Sequence, residues 1–222
     1  MSGTWILLIL LIGSALPAII VFFWFRVRKP ALSLPWFLSS LAAGIFSFIV
    51  AAFIQSFFSP LGHGGLGTVF FHIFVRIALL EEASRIITLI PFIIFVKKLR
   101  DDDRTFGAAL GLAAGLGFAL IESAFHGISN INITLLRAFT TAPLHGACGI
   151  RAGAAVFSFQ RSKGKAIFCF ISAIFIHGAY NLAIVSPAFP SILAILIAIA
   201  AFLSSLAYIR TTKTNHEVLD HF

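Results

Sequence analysis

The sequence predicts an all-α membrane protein, a polytopic bundle of about seven transmembrane helices. Of the 222 residues, 59% are hydrophobic, which is more apolar surface than a soluble domain of this size can bury. The chain also divides into windows of about 20 predominantly apolar residues, the length at which a helix crosses the hydrocarbon core. Finally, Lys and Arg cluster in alternate connections between these windows, as in other polytopic proteins.

Seven spans are predicted, and the connections between them are too short for a separate soluble domain. The spans are Thr4–Phe25, Pro35–Phe58, Thr68–Val96, Phe106–Gly127, Leu135–Phe159, Ala166–Ser186 and Ser191–Ile209. In the first span the basic residues follow the apolar run instead of preceding it, which predicts a retained span and not a signal peptide. We therefore expect one transmembrane domain over residues 1–209 and a short cytoplasmic tail over residues 210–222.

The basic residues predict the orientation of the chain. They cluster at residues 26–29, 97–104, 161–165 and 210–213, whereas the three intervening connections contain no Lys or Arg. The positive-inside rule then places the N-terminus outside and the C-terminus in the cytoplasm. The net charge of +8 is thus explained by topology and by contact with anionic lipid heads, and no nucleic-acid partner is predicted. Cys148 and Cys169 both fall inside spans, so no disulfide framework is expected.

Several polar residues fall at one depth inside the predicted spans. At about 1.5 Å per helical residue, they lie roughly 22 to 24 Å from the cytoplasmic face, with one histidine a turn nearer to it. The set consists of Glu81, Glu82, Glu122, His145, His177 and Asn181. Charged side chains inside a membrane are costly and usually functional. A shared layer supplied by four different helices therefore predicts a polar site in the outer half of the bilayer.

Helical periodicity brings these residues to inward faces. At about 100° per residue, Glu81, Glu82 and Arg85 share one arc of the third span, and Arg85 is within reach of either glutamate. Phe118 and Glu122 continue a stripe that begins as Gly-x3-Gly-x3-Gly at Gly107, a spacing that permits close helix packing. Thr141 with His145, and His177 with Asn181, share faces of the fifth and sixth spans. The sequence thus predicts that the four spans meet at these faces.

Other polar residues have ordinary structural interpretations. Arg76 and Arg137 are near the predicted outer interface, where long basic side chains extend to the lipid heads. Arg151 lies nearer the cytoplasmic side on a different face from His145, which favours a structural or lipid-facing role. His63, His72 and His126 are consistent with interfacial or structural positions.

The polar layer is compatible with three kinds of function: hydrolysis, with or without a metal, transport, and a non-catalytic role. An ionised carboxylate beside a protonated one provides a general base and a general acid, as hydrolysis of an amide by water requires, and His177 with Asn181 can supply N–H donors to an oxyanion. Alternatively, Glu122, His145 and His177, with Glu81 or Glu82, form a donor set for zinc, although no His-Glu-x-x-His run supports it. A proton- or ion-coupled transporter and a non-catalytic scaffold remain as further alternatives. Direct hydrolysis without a cofactor is the preferred interpretation.

Four short motifs then carry a resemblance to a known family. They are "EEASR" (81–85), "GLGFALIES" (115–123), "RAFTTAPLHGACG" (137–149) and "IHGAYN" (176–181). In this order, between about Val75 and Leu182, the sequence resembles the PrsW family of glutamic intramembrane proteases. That family is similar in turn to the type II CAAX prenyl endopeptidase and Abi proteins, which include the zinc-dependent alternative.

The resemblance implies roles for particular residues. The paired glutamates are then Glu81 and Glu82, and the Phe-x3-Glu element comprises Phe118 and Glu122. His145 and His177 correspond to the family's histidines, and Asn181 closes a His-x3-Asn element. These residues are implied to be catalytic, with Arg85, Phe118 and Thr141 in support, within a core of about residues 68–186.

Two departures from the related patterns bear on the assignment. Arg85 stands where Lys is expected in PrsW proteins, and Glu122 stands where the CAAX and Abi pattern has His. The second departure favours PrsW. The resemblance implies site-1-type cleavage of a membrane-anchored substrate similar to an anti-sigma factor, in the plasma membrane of a bacterium or archaeon. It predicts neither the oligomeric state nor the particular substrate.

Overall fold

The computed structural model describes residues 12, 15–24, 27, 33–58, 65–99, 104–127, 131–186, 188–190 and 192–219. Within these ranges the regular secondary structure is entirely helical, without a β-strand. The α-helices are α1 (Ala15–Trp24), α2 (Leu34–Ser56), α3 (Leu66–Phe70), α4 (Leu80–Leu99), α5 (Arg104–Gly127), α6 (Ile131–Ser158), α7 (Lys163–Val185) and α8 (Ile192–Leu219). A π-helical segment, Phe71–Leu79, joins α3 to α4.

The helices agree with the predicted spans, and three of them are long and apolar enough to cross a membrane. These are α2, the part of α5 from Phe106 to Phe125, and α7, with mean hydropathies of 2.3, 1.7 and 1.9. Two further helices, α1 and Ile192–Ala207 within α8, are apolar but shorter. Part of the first predicted span lies outside the described residues. Residues 210–219, predicted as a tail, continue the helix α8 to Leu219.

The third predicted span is not one regular helix. Its outer part forms the π-helical segment, and the regular α-helix begins only at Leu80, immediately before the glutamate pair. A π-helix has i→i+5 hydrogen bonds and is found mostly near functional sites. Because its turns contain more residues, the angular spacing assumed for a regular α-helix holds only from Leu80 onward.

Glycines allow α5 to pack at the centre of the bundle. In its apolar window 78% of the residues are buried, and α5 lies against α2 on one side and α6 on the other. A methyl group added at Gly115 would collide with the carbonyl oxygen of His145, and one added at Gly111 would collide with that of Gly149. The glycine stripe therefore brings the α5 and α6 backbones into direct contact next to His145.

Arg151 links α6 to α8. Its guanidinium donates hydrogen bonds to the Ala147 carbonyl oxygen of its own helix, at 3.2 Å, and to Ser204 Oγ on α8, at 2.9 Å. It also donates to Ser205 Oγ. The predicted structural role agrees with these contacts, which hold the last helix against the helix that carries His145.

The outward faces of the bundle are apolar. Large hydrophobic side chains such as Phe46, Phe53, Phe168 and Phe175 are exposed. Bulky side chains in this position are expected where the surrounding solvent is lipid. Charged side chains of α4, in contrast, are buried: Glu81, Glu82 and Arg85 face the interior.

Candidate active site

Side chains from four helices meet in one buried cluster. The helix α4 contributes Glu81, Glu82 and Arg85, while α5 contributes Glu122, α6 contributes His145 and α7 contributes His177. The two imidazole rings are perpendicular, with their centroids 4.9 Å apart. The predicted convergence of these faces is therefore observed. It joins residues as distant in the chain as Glu81 and His177, which are 96 positions apart.

Both carboxylate oxygens of Glu82 are paired. It accepts a hydrogen bond from Arg85 Nη1 and lies 2.9 Å, through Oε1, from His177 Nδ1. The side chains of Glu82 and Arg85 are at most 1% exposed. Sequence spacing puts either glutamate within reach of Arg85, and the structure pairs Arg85 with Glu82. Because an ionised carboxylate only accepts, His177 carries a proton on Nδ1, and in the neutral ring Nε2 then keeps a free lone pair.

His145 has both ring nitrogens engaged. Arg85 Nη2 lies 3.0 Å from Nδ1, and Glu122 Oε2 lies 2.8 Å from Nε2. Since a guanidinium can only donate, Nδ1 is the acceptor, and the ring proton on Nε2 is donated to Glu122. Arg85 thus bridges Glu82 and His145, while Glu122 orients the second histidine.

Glu81 differs from Glu82 in its hydrogen bonds. Gln55 Nε2, from α2, donates to Glu81 Oε1 at 3.2 Å. Among the described residues, Glu81 Oε2 is buried without a hydrogen-bond partner. This oxygen faces His177 Nε2 at 3.6 Å, a separation longer than a hydrogen bond. Two acceptor atoms, one oxygen and one nitrogen, therefore face each other across a small gap.

Aromatic and hydroxyl groups support the cluster. The ring of Phe118 packs against His145 at 4.7 Å between centroids, and the Arg85 guanidinium lies over the same ring at 4.7 Å. Tyr180, one turn after His177, donates its O–H to Thr140 Oγ1 at 2.9 Å and accepts from Thr141 at 3.2 Å. Phe118 thus contacts His145 and Arg85, and Thr141 contacts Tyr180.

The cluster is most accessible from outside the bundle at Glu81 and Glu122. Their side chains are 10% and 14% exposed, whereas those of His145 and His177 are each 1% exposed. A separate cavity of about 570 Å³ lies between α4, α6 and α7 and is almost entirely apolar, with Ile86, Ile90 and Phe170 among its lining residues. The Glu and His side chains of the cluster do not line that cavity. The polar cluster, not this apolar cavity, therefore has the groups that chemistry requires.

One predicted site residue is less closely integrated. Asn181 follows His177 by one turn on α7 and is half-buried, and in the described part of the chain no hydrogen bond joins it to the cluster. The His177 N–H that was expected to act as an oxyanion donor is engaged by Glu82.

The side chains of Arg137 and His126 lie outside the described residues, as does His63. His72 is half-buried in the π-helical segment, and Arg76 lies over the Phe58 ring at 4.8 Å.

Two contributors were missed by the sequence analysis. Gln55 lies in α2, which precedes the motifs, and a single amide near the end of an apolar helix gave no signal beyond its polarity. Tyr180 lies inside the "IHGAYN" motif, but its link to Thr140 and Thr141 depends on how α6 and α7 pack. For Tyr180 the available signal was a phenol inside an apolar span, because a Tyr hydroxyl that is buried usually has a hydrogen-bond partner.

Together, the fold and the cluster define a helical membrane protein with acid and imidazole groups held inside the bundle. Comparison with known families gives the class: a family model described as PrsW family intramembrane metalloprotease matches residues 33–208. The chain belongs to this family and is an intramembrane peptidase. Neither the curated proteins nor the solved structures include a match. The matched range starts before α2, so it includes Gln55 as well as the four motif-bearing helices.

The family description raises the question of a metal. Glu81, His145 and His177 each offer a ligand atom, and these atoms all lie within 4.8 Å of one another. Two nitrogen donors and one carboxylate suit zinc. His177 fits well, because a metal-binding histidine commonly donates its other N–H to a carboxylate, and the unpartnered Glu81 Oε2 fits too. Both ring nitrogens of His145 are engaged, so the residues fit a metal only if the contact with Arg85 or the contact with Glu122 is released.

Proposed function

We propose that this peptidase cuts a membrane-anchored protein substrate with a water molecule that Glu81 activates. The proposal depends chiefly on one observation, the unpartnered Glu81 Oε2 that faces His177 Nε2 at 3.6 Å. A water beside this pair, within hydrogen-bond distance of both atoms, can donate one O–H to each, which leaves a lone pair on its oxygen for attack on a substrate carbonyl. Proton acceptors placed in this way are what general-base hydrolysis requires.

The remaining residues of the cluster hold this pair in position. Glu82 fixes the His177 ring through Nδ1 and is itself neutralised by Arg85. Glu122 and Arg85 fix the His145 ring, against which Phe118 packs. Thr141 contributes to the hydroxyl network with Tyr180. Asn181, one turn beyond His177, is proposed to donate its amide N–H to the oxygen of the attacked carbonyl.

The reaction balances with these groups alone. The water oxygen bonds to the carbonyl carbon while a water proton passes to Glu81 Oε2, giving a tetrahedral intermediate. The C–N bond then breaks, and the proton passes to the leaving amine nitrogen. Glu81 returns to its ionised form, and the products are a carboxylic acid and an amine. His177, held by Glu82, accepts the second water O–H and so orients the attack.

A metal is the alternative way to activate the same water. Glu81, His145 and His177 would hold a divalent cation, which when bound would act as a Lewis acid on the water. In both cases the same side chains select the position of the attacked peptide bond. The cofactor-free route is preferred because Arg85, a fixed positive charge, is hydrogen-bonded to one of the three donors.

The basic clusters and the depth of the polar layer support a particular orientation and substrate. We propose seven spans in one domain over residues 1–209, with a catalytic core at about residues 68–186, an outside N-terminus and a cytoplasmic C-terminus. The cut then falls in the outer half of the plasma membrane of a bacterium or archaeon. A single-pass protein resembling an anti-sigma factor, cut near its extracytoplasmic end, is the proposed substrate.

The test is cleavage of single-pass substrates by the purified protein in liposomes. Glu81→Gln and His177→Ala are expected to lose activity while remaining folded. Ser172→Ala is the matched control on α7, since among the described residues the Ser172 hydroxyl bonds only to the Cys169 carbonyl of its own helix; this variant should cleave as the wild type does. Equal cleavage by wild type, Glu81→Gln and His177→Ala would refute the proposal.

A further inference from the structure

Gln55, a residue outside the four sequence motifs, contacts Glu81, the proposed general base. Gln55 is the penultimate residue of α2 (Leu34–Ser56) and is half-buried. Its side-chain amide donates to Glu81 Oε1 at 3.2 Å. The other polar side chains buried in this helix, Ser40 and Ser47, bond to backbone carbonyl oxygens. Gln55 is therefore the point at which α2 reaches the cluster.

The other charged groups near Glu81 are committed elsewhere. Arg85 donates to Glu82 and His145, and Glu122 carries a charge of the same sign and pairs with His145. The His177 N–H is donated to Glu82. Within the described residues, the Gln55 amide is thus the side-chain donor that holds the Glu81 carboxylate.

This hydrogen bond decides which oxygen faces the gap. The terminal torsion of a glutamate is broad and roughly two-fold, so a carboxylate without a fixed donor samples a range of orientations. With Oε1 tied to Gln55, the plane of the carboxylate is set and Oε2 is directed toward His177 Nε2. The orientation matters equally whether Oε2 accepts a proton or binds a metal.

We propose that Gln55 is a positioning residue that orients Glu81 for the reaction, an inference that rests on the proposed role of Glu81. Gln55 acts through Glu81 and does not itself touch the substrate. Loss of the amide donor therefore lowers the rate of the chemical step and leaves substrate binding unchanged. Removing partners that orient a reactive or ligating group typically costs about 10- to 100-fold in activity.

The experiment compares kcat and KM for wild type and Gln55→Met, which keeps the length and volume of the side chain but cannot donate. We expect kcat to fall at least 10-fold with KM and thermal unfolding unchanged. Ser56→Ala is the control, because Ser56 is exposed and, within the part of the chain that the structure describes, its hydroxyl bonds only to the Phe53 carbonyl of the same helix. Gln55→Asn, whose amide is one methylene shorter, serves as a second variant and should also lose rate.

The outcomes separate this inference from the proposed function. An unchanged kcat in a folded Gln55→Met or Gln55→Asn protein, with Glu81→Gln inactive, would overturn the role of Gln55 alone. An active Glu81→Gln protein would overturn the role of Glu81 and the inference with it. A rise in KM at constant kcat would also overturn the inference, since it would assign Gln55 to substrate binding.

Discussion

His177 Nδ1 lies 2.9 Å from Glu82 Oε1, so the second glutamate of the adjacent pair holds a histidine from another helix. The first glutamate, Glu81, has one oxygen on Gln55 and the other facing His177 Nε2 across a gap. The same imidazole is thus fixed by one carboxylate and directed at the other. Two neighbouring acids of identical chemistry have different surroundings, and different consequences follow from neutralising each one.

Neutralising Glu82 should damage the fold as well as the activity. Breaking a buried ion pair by removing one charge typically costs about 3 to 5 kcal/mol, because the partner charge remains buried. We expect Glu82→Gln to lower the free energy of unfolding by about that amount, because Arg85 loses its paired charge. Glu81→Gln should change stability by less than about 1 kcal/mol, since Oε2 has no hydrogen-bond partner among the described residues and the amide oxygen of Gln can still accept from Gln55. Thermal unfolding in detergent measures both, and equal destabilisation by the two variants would contradict this distinction.

The convergence of the charged residues was predictable because it depends on local geometry. Because α4 is a regular α-helix from Leu80 onward, the angular spacing of about 100° per residue applies to Glu81, Glu82 and Arg85. A rise of 1.5 Å per residue likewise places His145 and His177 at a comparable depth. Both estimates need only the helix period and the ends of the spans, and the sequence supplies these.

The pairing within the cluster was not predictable, because it depends on contacts between helices. Sequence spacing allows Arg85 to reach either glutamate, and the choice of Glu82 follows from the positions of Gln55 and His177 on other helices. The π-helical segment before Leu80 had no signature that distinguished it from a regular apolar helix. Gln55 could be connected to the site only through the packing of α2, which a helical wheel does not describe.

The contact between Gly115 and the His145 backbone should be intolerant of a side chain. A methyl group there would collide with the His145 carbonyl oxygen, so α5 and α6 would have to separate. We expect Gly115→Ala to destabilise the protein by about 1 to 3 kcal/mol, the usual range for overpacking. Activity should fall as well, because the displaced helix carries His145.

Gly164→Ala provides the control for this prediction. Gly164 lies in the first turn of α7, and an added methyl group there meets no atom within 4 Å. The unfolding temperature and cleavage rate of Gly164→Ala should match those of the wild type. If Gly115→Ala were as stable as the wild type, the α5 and α6 backbones would not be in contact at Gly115.

Arg151 should be important for stability but not for chemistry. Its contacts join α6 to Ser204 and Ser205 of α8, and in the described part of the chain it makes no hydrogen bond with the glutamates or histidines of the cluster. Because hydrogen bonds to charged groups contribute about 1.5 to 3 kcal/mol, we expect Arg151→Met to lower the free energy of unfolding by about 2 kcal/mol. Below its unfolding temperature the variant should keep the wild-type kcat. A large loss of kcat in the folded variant would place Arg151 in the catalytic machinery instead.

Removal of metal provides the sharpest test of how the water is activated. Arg85 donates to His145 Nδ1, and a cation that used this nitrogen would have to displace a fixed positive charge. We therefore expect protein treated with a chelator, and shown by elemental analysis to lack zinc, to retain its cleavage rate. Arg85→Lys has a single ammonium group that cannot reach Glu82 and His145 through two separate nitrogens, so it should bind added zinc more tightly than the wild type in a calorimetric titration. If chelation abolished wild-type cleavage and stoichiometric zinc restored it, Glu81 would be a ligand and not the base, and the same gap between Oε2 and His177 Nε2 would be the site of the ion.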